Sequence, residues 1–391
     1  MGKLIPSALL FFISFLSCSG DPLAKIEKMS DVPCTNREGD SQLGSGMDST
    51  GTATKIGATV ESRPNVNLPY VVHEPPGDPI AVLVVIPGGE GKAFTGSGAS
   101  LRASQVFLIK NADVLTEAGF KVVSVSMPSD MDSATNSEFY AYRVSVKQSV
   151  DIAQLLTVEN KSNKPVLLAG TSRGTIALIP NSALALGVAF SSTSSLVAGS
   201  DSSQRASSLS SEAHILQNSN DLCSSTSPAN ANFIYSELLV AGKSCTGDMV
   251  SGGFEEPGAD PCGPQSYHGY YGIENCATQT IVRWANGVLE KFATNNLQPK
   301  ANAYHHSSAV VSGNTTSFSL ANSASDPNGD TVAFAVPFET SMLGGSVSIT
   351  TNGQVVYMAP NDKAGYLDMF VYVVNDSLGG RGRAVVTIAV Q

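Results

Sequence analysis

Near the middle of the chain a serine stands between two glycines, in Gly170-Thr171-Ser172-Arg173-Gly174. The run PVLLA at 165–169 precedes it and TIALI at 175–179 follows it. That context reads as a buried strand, a very tight turn and a helix. On such a nucleophile elbow the serine is strained, with its Oγ held out at the carboxyl edge of a sheet. The glycines are small because strand and helix approach closely there. A serine hydroxyl is a poor nucleophile at neutral pH, so it needs a base within hydrogen-bond reach and an acid that orients the base.

For a serine on such an elbow, the acid and then the base follow in the chain. His214 falls at a strand start, ahead of the acid, and His305 and His306 fall in the first segment of the next domain. His268 lies in SYHGYYGIE at 266–274, a polar, glycine-rich loop before the last helix, and is the expected base. ILQNSNDLC at 215–223 reads as a strand and a turn holding Asp221, the expected acid. Its rivals are Asp201, in a serine-rich loop, and Asp260, a turn residue near Cys262. An oxyanion hole needs two backbone N–H donors aimed at the developing charge. One is expected from Arg173 and the other from Gly88 or Gly89 in PGGEG at 87–91. Glycine there lets the backbone approach substrate.

Alternating strands and helices must position these groups. Strands are expected at 68–73 (an edge strand), 81–86, 121–126, 165–169, 185–190 and 213–217, with helices at 104–118, 142–156 and 278–292. Fully apolar runs such as AVLVVI imply strands buried on both faces, hence a mostly parallel sheet flanked by helices, the α/β class. The alternation stops near residue 297. Short strands of period two follow, at 316–320, 332–336, 346–350, 355–358, 369–374 and 383–390, separated by DPNGD, NG and GG turns. That pattern is an all-β sandwich. The expected organisation is a leader at 1–18, a polar linker at 19–54, an α/β domain at 55–297 and a sandwich at 298–391.

The elbow, the glycine loop after the strand at 81–86 and the order Ser172, Asp221, His268 resemble the α/β-hydrolase superfamily over roughly residues 55–295. NSNDLCSSTSPANA and GADPCGPQSYHGYYGIE resemble an exported bacterial branch of serine hydrolases in which an Asp-x-Cys turn and a cysteine before the histidine recur. That resemblance implies a Cys223–Cys262 disulfide tying the acid loop to the base loop. Cys245 with Cys276, or Cys34 with either, remain open as a second bridge. Pro87 departs from the His-Gly-Gly motif of many lipases and esterases. The C-terminal segment resembles bacterial Ig-like/cadherin-like modules, on NGQVVYMAP and AGYLDMFVYVVND.

The chain has 391 residues, 42% hydrophobic and 14% charged, with net charge −10. No basic stripe is available to neutralise phosphates, so nucleic acid is not an expected partner. Lys3, the apolar run at 9–16 and SCSG at 17–20 read as an export signal, and Cys18 within FLSC is the expected lipid-attachment residue, in which case the membrane is a partner. The apolar run is too short to span a bilayer. Export permits disulfides. No cysteine or histidine spacing suits a structural metal. Asp326, Asn328 and Asp330 are spaced like calcium ligands, with a hairpin turn the preferred reading.

The expected function is that of an exported serine hydrolase, a periplasmic or surface lipoprotein or a secreted protein. It cleaves an ester or related acyl bond through an acyl-enzyme and uses no cofactor. The sandwich is expected to bind a surface polymer or a protein. The alternatives are an adhesion protein on a non-catalytic hydrolase scaffold and a serine peptidase on the same fold.

Overall fold

Continuous apolar segments form the centre of the molecule. AVLVVI and VLLAGT are strands whose every residue is buried. The computed structural model describes residues 28–34, 55–95, 102–195, 197, 202–292 and 296–391. The leader with Lys3 and Cys18, most of the polar linker, and Asp201 lie outside the described residues, as does part of the serine-rich stretch after residue 195.

In chain order the first part of the molecule holds β1 (Ser30–Pro33), β2 (Lys55–Arg63), β3 (Val66–His73), β4 (Ala81–Ile86), the small hairpin β5 (Phe94–Thr95) and β6 (Arg102–Ala103), α1 (Phe107–Lys110), α2 (Ala112–Glu117), β7 (Phe120–Val125), α3 (Asn136–Arg143), α4 (Val146–Glu159), β8 (Val166–Thr171), α5 (Leu178–Asn181), β9 (Gly187–Ser191), α6 (Ser202–Ser208), β10 (Glu212–Asn218), α7 (Pro228–Val240), β11 (Cys245–Ser251) and α8 (Glu274–Lys291). Nine of these strands make one sheet in the order β1-β11-β10-β9-β8-β4-β7-β3-β2. β3 is antiparallel to both β2 and β7, and all other pairs are parallel. From β4 the chain moves one way to β7 and then returns past β4 to β8. The crevice at the carboxyl ends of β4 and β8 is therefore the topological switch point, where open α/β sheets bind ligands.

Period two splits each central strand between two cores. Val82, Val84 and Ile86 face α4, α5 and α7. Ala81, Leu83 and Val85 face α1, α2 and α8 through Leu108, Leu115, Ile281 and Trp284.

Three expectations are corrected. The segment at 68–73 belongs to an interior strand, because β2 covers its outer side. The polar linker is not wholly a tether: Ser30–Pro33 joins the sheet in parallel with β11. The helices expected over 104–118 and 142–156 are each split in two: α1 ends at Lys110 and α2 starts at Ala112, and α3 ends at Arg143 and α4 starts at Val146. Thr135 caps α3 with Glu138 in a reciprocal capping box.

The C-terminal part holds β12 (Lys300–Ala301), β13 (Tyr304–His305), β14 (Thr315–Ser319), β15 (Ala324–Ser325), β16 (Ala333–Ala335), β17 (Ser346–Ile349), β18 (Gln354–Met358), β19 (Leu367–Asn375) and β20 (Arg381–Ala389). The sheets β13-β20-β19-β16 and β14-β18-β17 enclose Phe334, Val355, Tyr357, Phe370, Tyr372 and Val386. The opposite face of β19, Met369, Val371 and Val373, joins the core around α4. That is why β19 is buried along nearly its whole length. The Asp326 carboxylate accepts from the N–H groups of Asn328 and Asp330, and Asn328 donates to Asp330, which is the geometry of a turn.

Candidate active site

Ser172 follows β8 directly and has φ 55°, the left-handed region that a serine adopts only when its surroundings hold it there. Close packing supplies that hold. A Cβ on Gly174 would run into the Ile86 carbonyl at the end of β4, and one on Gly170 would lie 2.7 Å from the Gly174 carbonyl carbon. Gly88, after β4, lies against Ser172: a Cβ there would sit 2.8 Å from Ser172 Cβ and 3.5 Å from its Oγ. Gly89, at φ 54°, has open space where its Cβ would be, so Gly88 is the glycine that lies against the serine. The chain leaves the elbow through a 3-10 turn, Ser172–Ala177, before α5. The Arg173 guanidinium lies over the Tyr140 ring, 5.8 Å from its centroid.

Asp221 follows β10, two strands from β8. Its Oδ2 lies 3.2 Å from His268 Nδ1. The carboxylate is fully engaged: Oδ2 also accepts from Gln217 Nε2 at 3.0 Å and Thr226 Oγ1 at 3.0 Å, and Oδ1 accepts from the Cys223 N–H at 2.9 Å. Because the ionised carboxylate only accepts, the proton of His268 sits on Nδ1 and leaves Nε2 as the basic nitrogen. Both residues are buried.

The loop carrying His268 is fixed from below by a residue that pattern reading passed over. Tyr270, fully buried at φ 58°, donates to the Leu216 carbonyl of β10 and accepts from the Ser192 N–H after β9. Ser192 Oγ donates to the His268 carbonyl at 2.9 Å. His268 is thereby tied to the end of β9, the strand between those that carry Ser172 and Asp221. A buried tyrosine hydroxyl needs partners, and the only sequence signal for this one was its place in a glycine-rich loop.

Cys223 and Cys262 form a disulfide between the acid loop and the segment leading to His268. The second bridge is Cys34–Cys276, and Cys245 remains a thiol, so the pairing of Cys245 with Cys276 that the sequence left open does not form. The register of β1 on β11 explains the choice. Pairing of Pro33 with Ser251 carries Cys34 to the carboxyl end of β11, beside Ile273. Cys245 opens β11 and lies about 20 Å away at strand rise.

Asp260 is exposed and accepts from the Cys262 N–H, so it shapes a turn. His214 is buried at the opposite end of β10, stacked on Trp284. Among the described residues, the one cluster with metal-ligand spacing is Asp221, Cys223 and His268. Its sulfur is committed to the disulfide, so it does not fit a metal site.

The strand order, the elbow at Ser172 and the carboxylate–imidazole pair on the following loops define an α/β-hydrolase fold, joined here to an Ig-like module. Residues 296–389 match the family described as Bacterial Ig domain. No curated protein matches the chain. Among solved structures it is similar to a dienelactone hydrolase from Anabaena variabilis, at 13% identity over 60% of this chain and 98% of that one, TM-score 0.41. It is also similar to a thermostable carboxyl esterase from Bacillus coagulans, at 12% identity over 61% and 100%, TM-score 0.42. An acylaminoacyl peptidase from Pyrococcus horikoshii shares 12% identity over 61% of this chain and 42% of that one, TM-score 0.41.

Proposed function

We propose that the chain is a serine hydrolase that cleaves an ester or related acyl bond through a covalent acyl-enzyme. The observation that carries this reading is the left-handed Ser172 on its glycine-packed elbow, at the sheet edge where Asp221 meets His268. Ser172 Oγ attacks the acyl carbon as His268 Nε2 takes its proton. The negative charge that develops on the carbonyl oxygen is met by the N–H groups of Arg173 and Gly88. Collapse of the tetrahedral adduct expels the alcohol, which receives the proton from His268. Water then repeats the sequence on the acyl-enzyme and releases the acid. Asp221 stays ionised throughout and stabilises the imidazolium.

Export and lipid attachment at Cys18 belong to the same proposal. They rest on the N-terminal sequence and agree with two disulfides, which persist in oxidising compartments. The Ig-like module would then hold the enzyme near a surface polymer or protein.

Fluorophosphonate labelling of the purified mature protein tests the reading, beside Ser172→Ala and His268→Ala. Labelling of the wild type and its loss in both variants is the expected result. A folded, disulfide-intact wild type that takes no label overturns the reading and favours an adhesion role on an inactive scaffold.

A further inference from the structure

The turn at Pro87-Gly88 is held by a cation that neither the serine motif nor the acid–base pair requires. Arg143, the last residue of α3, is among the largest fully buried side chains. Its Nη2 donates to the Pro87 carbonyl at 2.9 Å. The same Nη2 sits inside the turn, 2.8 Å from where a Cβ on Gly91 would be, and Met127 closes the other side. The Phe139 ring lies 4.8 Å from the guanidinium carbon. Among the described residues Arg143 has no carboxylate partner, and its Nε has no hydrogen-bond partner. A buried unpaired cation is costly to maintain, so its retention here calls for a use.

The peptide geometry supplies one. Among the described residues no peptide bond is cis, so the Pro87 carbonyl and the N–H of Gly88 point in opposite directions. Anchoring the Pro87 carbonyl on Arg143 therefore turns the Gly88 N–H away from Arg143. Gly88 in turn packs on Ser172. Its own carbonyl is held by the Gly91 N–H at 2.9 Å, and the Gly91 carbonyl by the Met127 N–H at 2.9 Å. Among the described residues no protein acceptor takes the Gly88 N–H. The support continues outward. Tyr142, next to Arg143, donates to Asp151 at 2.7 Å, and Asp151 is bonded to Arg63, which also grips Asp130.

We propose that Arg143 is a positioning residue for the oxyanion hole: its guanidinium fixes the Pro87–Gly88 peptide so that the Gly88 N–H is held ready for the negative charge that develops beside Ser172. The inference rests on the serine-hydrolase reading above and goes beyond it in assigning a residue to the transition state that touches no substrate.

The test compares wild type, Arg143→Met and Arg143→Lys as full mature chains, with p-nitrophenyl acetate as substrate. Active sites are counted by fluorophosphonate titration. Per active site, kcat should fall about tenfold to a hundredfold in Arg143→Met with KM within about twofold, the loss expected from a displaced transition-state donor. Arg143→Lys, which keeps a cation and a donor, should recover part of the loss. The Ki of a trifluoromethyl ketone should rise by the same factor as kcat/KM falls. A role in packing alone would lower the melting temperature and the fraction of active sites but leave kcat per site unchanged, and that outcome overturns the proposal. If Arg143→Met does not fold, an unchanged kcat per site and Ki in Arg143→Lys overturns it, and a partial loss in both supports it. A wild type that neither labels nor turns over refutes the hydrolase reading itself, which is a separate result.

Discussion

Thr226 Oγ1 lies 2.8 Å from His268 Nδ1, closer than the Asp221 oxygen at 3.2 Å. The threonine hydroxyl donates to Asp221 Oδ2 at 3.0 Å, so its lone pairs face the imidazole N–H. The Nδ1 proton is thus shared between a carboxylate and a hydroxyl that the same carboxylate orients. Thr226→Val, nearly the same shape, should lower kcat about threefold to tenfold with KM unchanged. Asp221→Ala should lower it about 10³- to 10⁴-fold. Steady-state kinetics on both variants checks the ranking; equal losses would mean that the two groups act as one unit.

Gly88→Ala places a methyl group 2.8 Å from Ser172 Cβ and 2.7 Å from the Thr171 carbonyl oxygen. Either the elbow or the loop after β4 must yield. We expect at least a tenfold loss of fluorophosphonate labelling rate, because a small misplacement of the reacting groups is amplified in the barrier. Gly89→Ala meets no atom but must adopt φ 54°, so its effect should be on stability, by about 1 kcal/mol.

The Cys223–Cys262 bridge spans a sequence separation of 39 residues and encloses the whole of α7 and β11. On chain-entropy grounds its loss costs at most about 4 kcal/mol. Its position predicts a second effect. The Cys223 N–H holds Asp221 Oδ1, so the double variant Cys223→Ser, Cys262→Ser should lose activity below its melting temperature. The corresponding Cys34→Ser, Cys276→Ser variant should lose stability while keeping kcat. Thermal melts and kinetics on the two pairs separate these outcomes.

His214 gives the fold a pH dependence of its own. Burial pushes its pKa down to about 3, with the Arg283 charge adding to the shift. Its Nδ1 meets Thr246 Oγ1 at 3.0 Å, Asp248 lies 3.9 Å from its Nε2, and Trp284 stacks on the ring. The unfolded chain takes up this proton first, near pH 6.5. The residue therefore takes nothing from stability above about pH 6.5. Below that, stability falls by up to about 1.4 kcal/mol per pH unit until the folded value near 3 is reached. Urea unfolding of His214→Phe should show a shallower decline between about pH 6.5 and 4 than the wild type.

Arg381 joins the two domains through carbonyls of the α/β part. Nη1 donates to Ala185 at 2.9 Å and Ser182 at 3.3 Å, and Nη2 donates to Ser210. Arg381→Ala should destabilise the docked module by about 2–4 kcal/mol. Calorimetry is expected to resolve two transitions in this variant and one in the wild type. A single unshifted transition would mean that the apolar contacts of the module with the core around α4 hold the domains together without Arg381.

The elbow, the glycine loop and the two-part organisation were legible because they are local. Gly170-Thr171-Ser172-Arg173-Gly174 can make its turn only with small residues at both ends, and AVLVVI can only be buried on both faces. Tertiary structure decided what depends on distant partners. MFVYVV in β19 read as a period-two sandwich strand, but its second face is covered by α4, a contact that no local pattern encodes. A short segment of the polar linker became a strand because β11 offered an open parallel edge, and that register chose Cys34 over Cys245 for Cys276. Thr226, Tyr270 and Arg143 were silent for the same reason. Each acts through hydrogen bonds to segments distant in the sequence, and the spacing of residues along a chain does not record which strand ends and loops lie side by side.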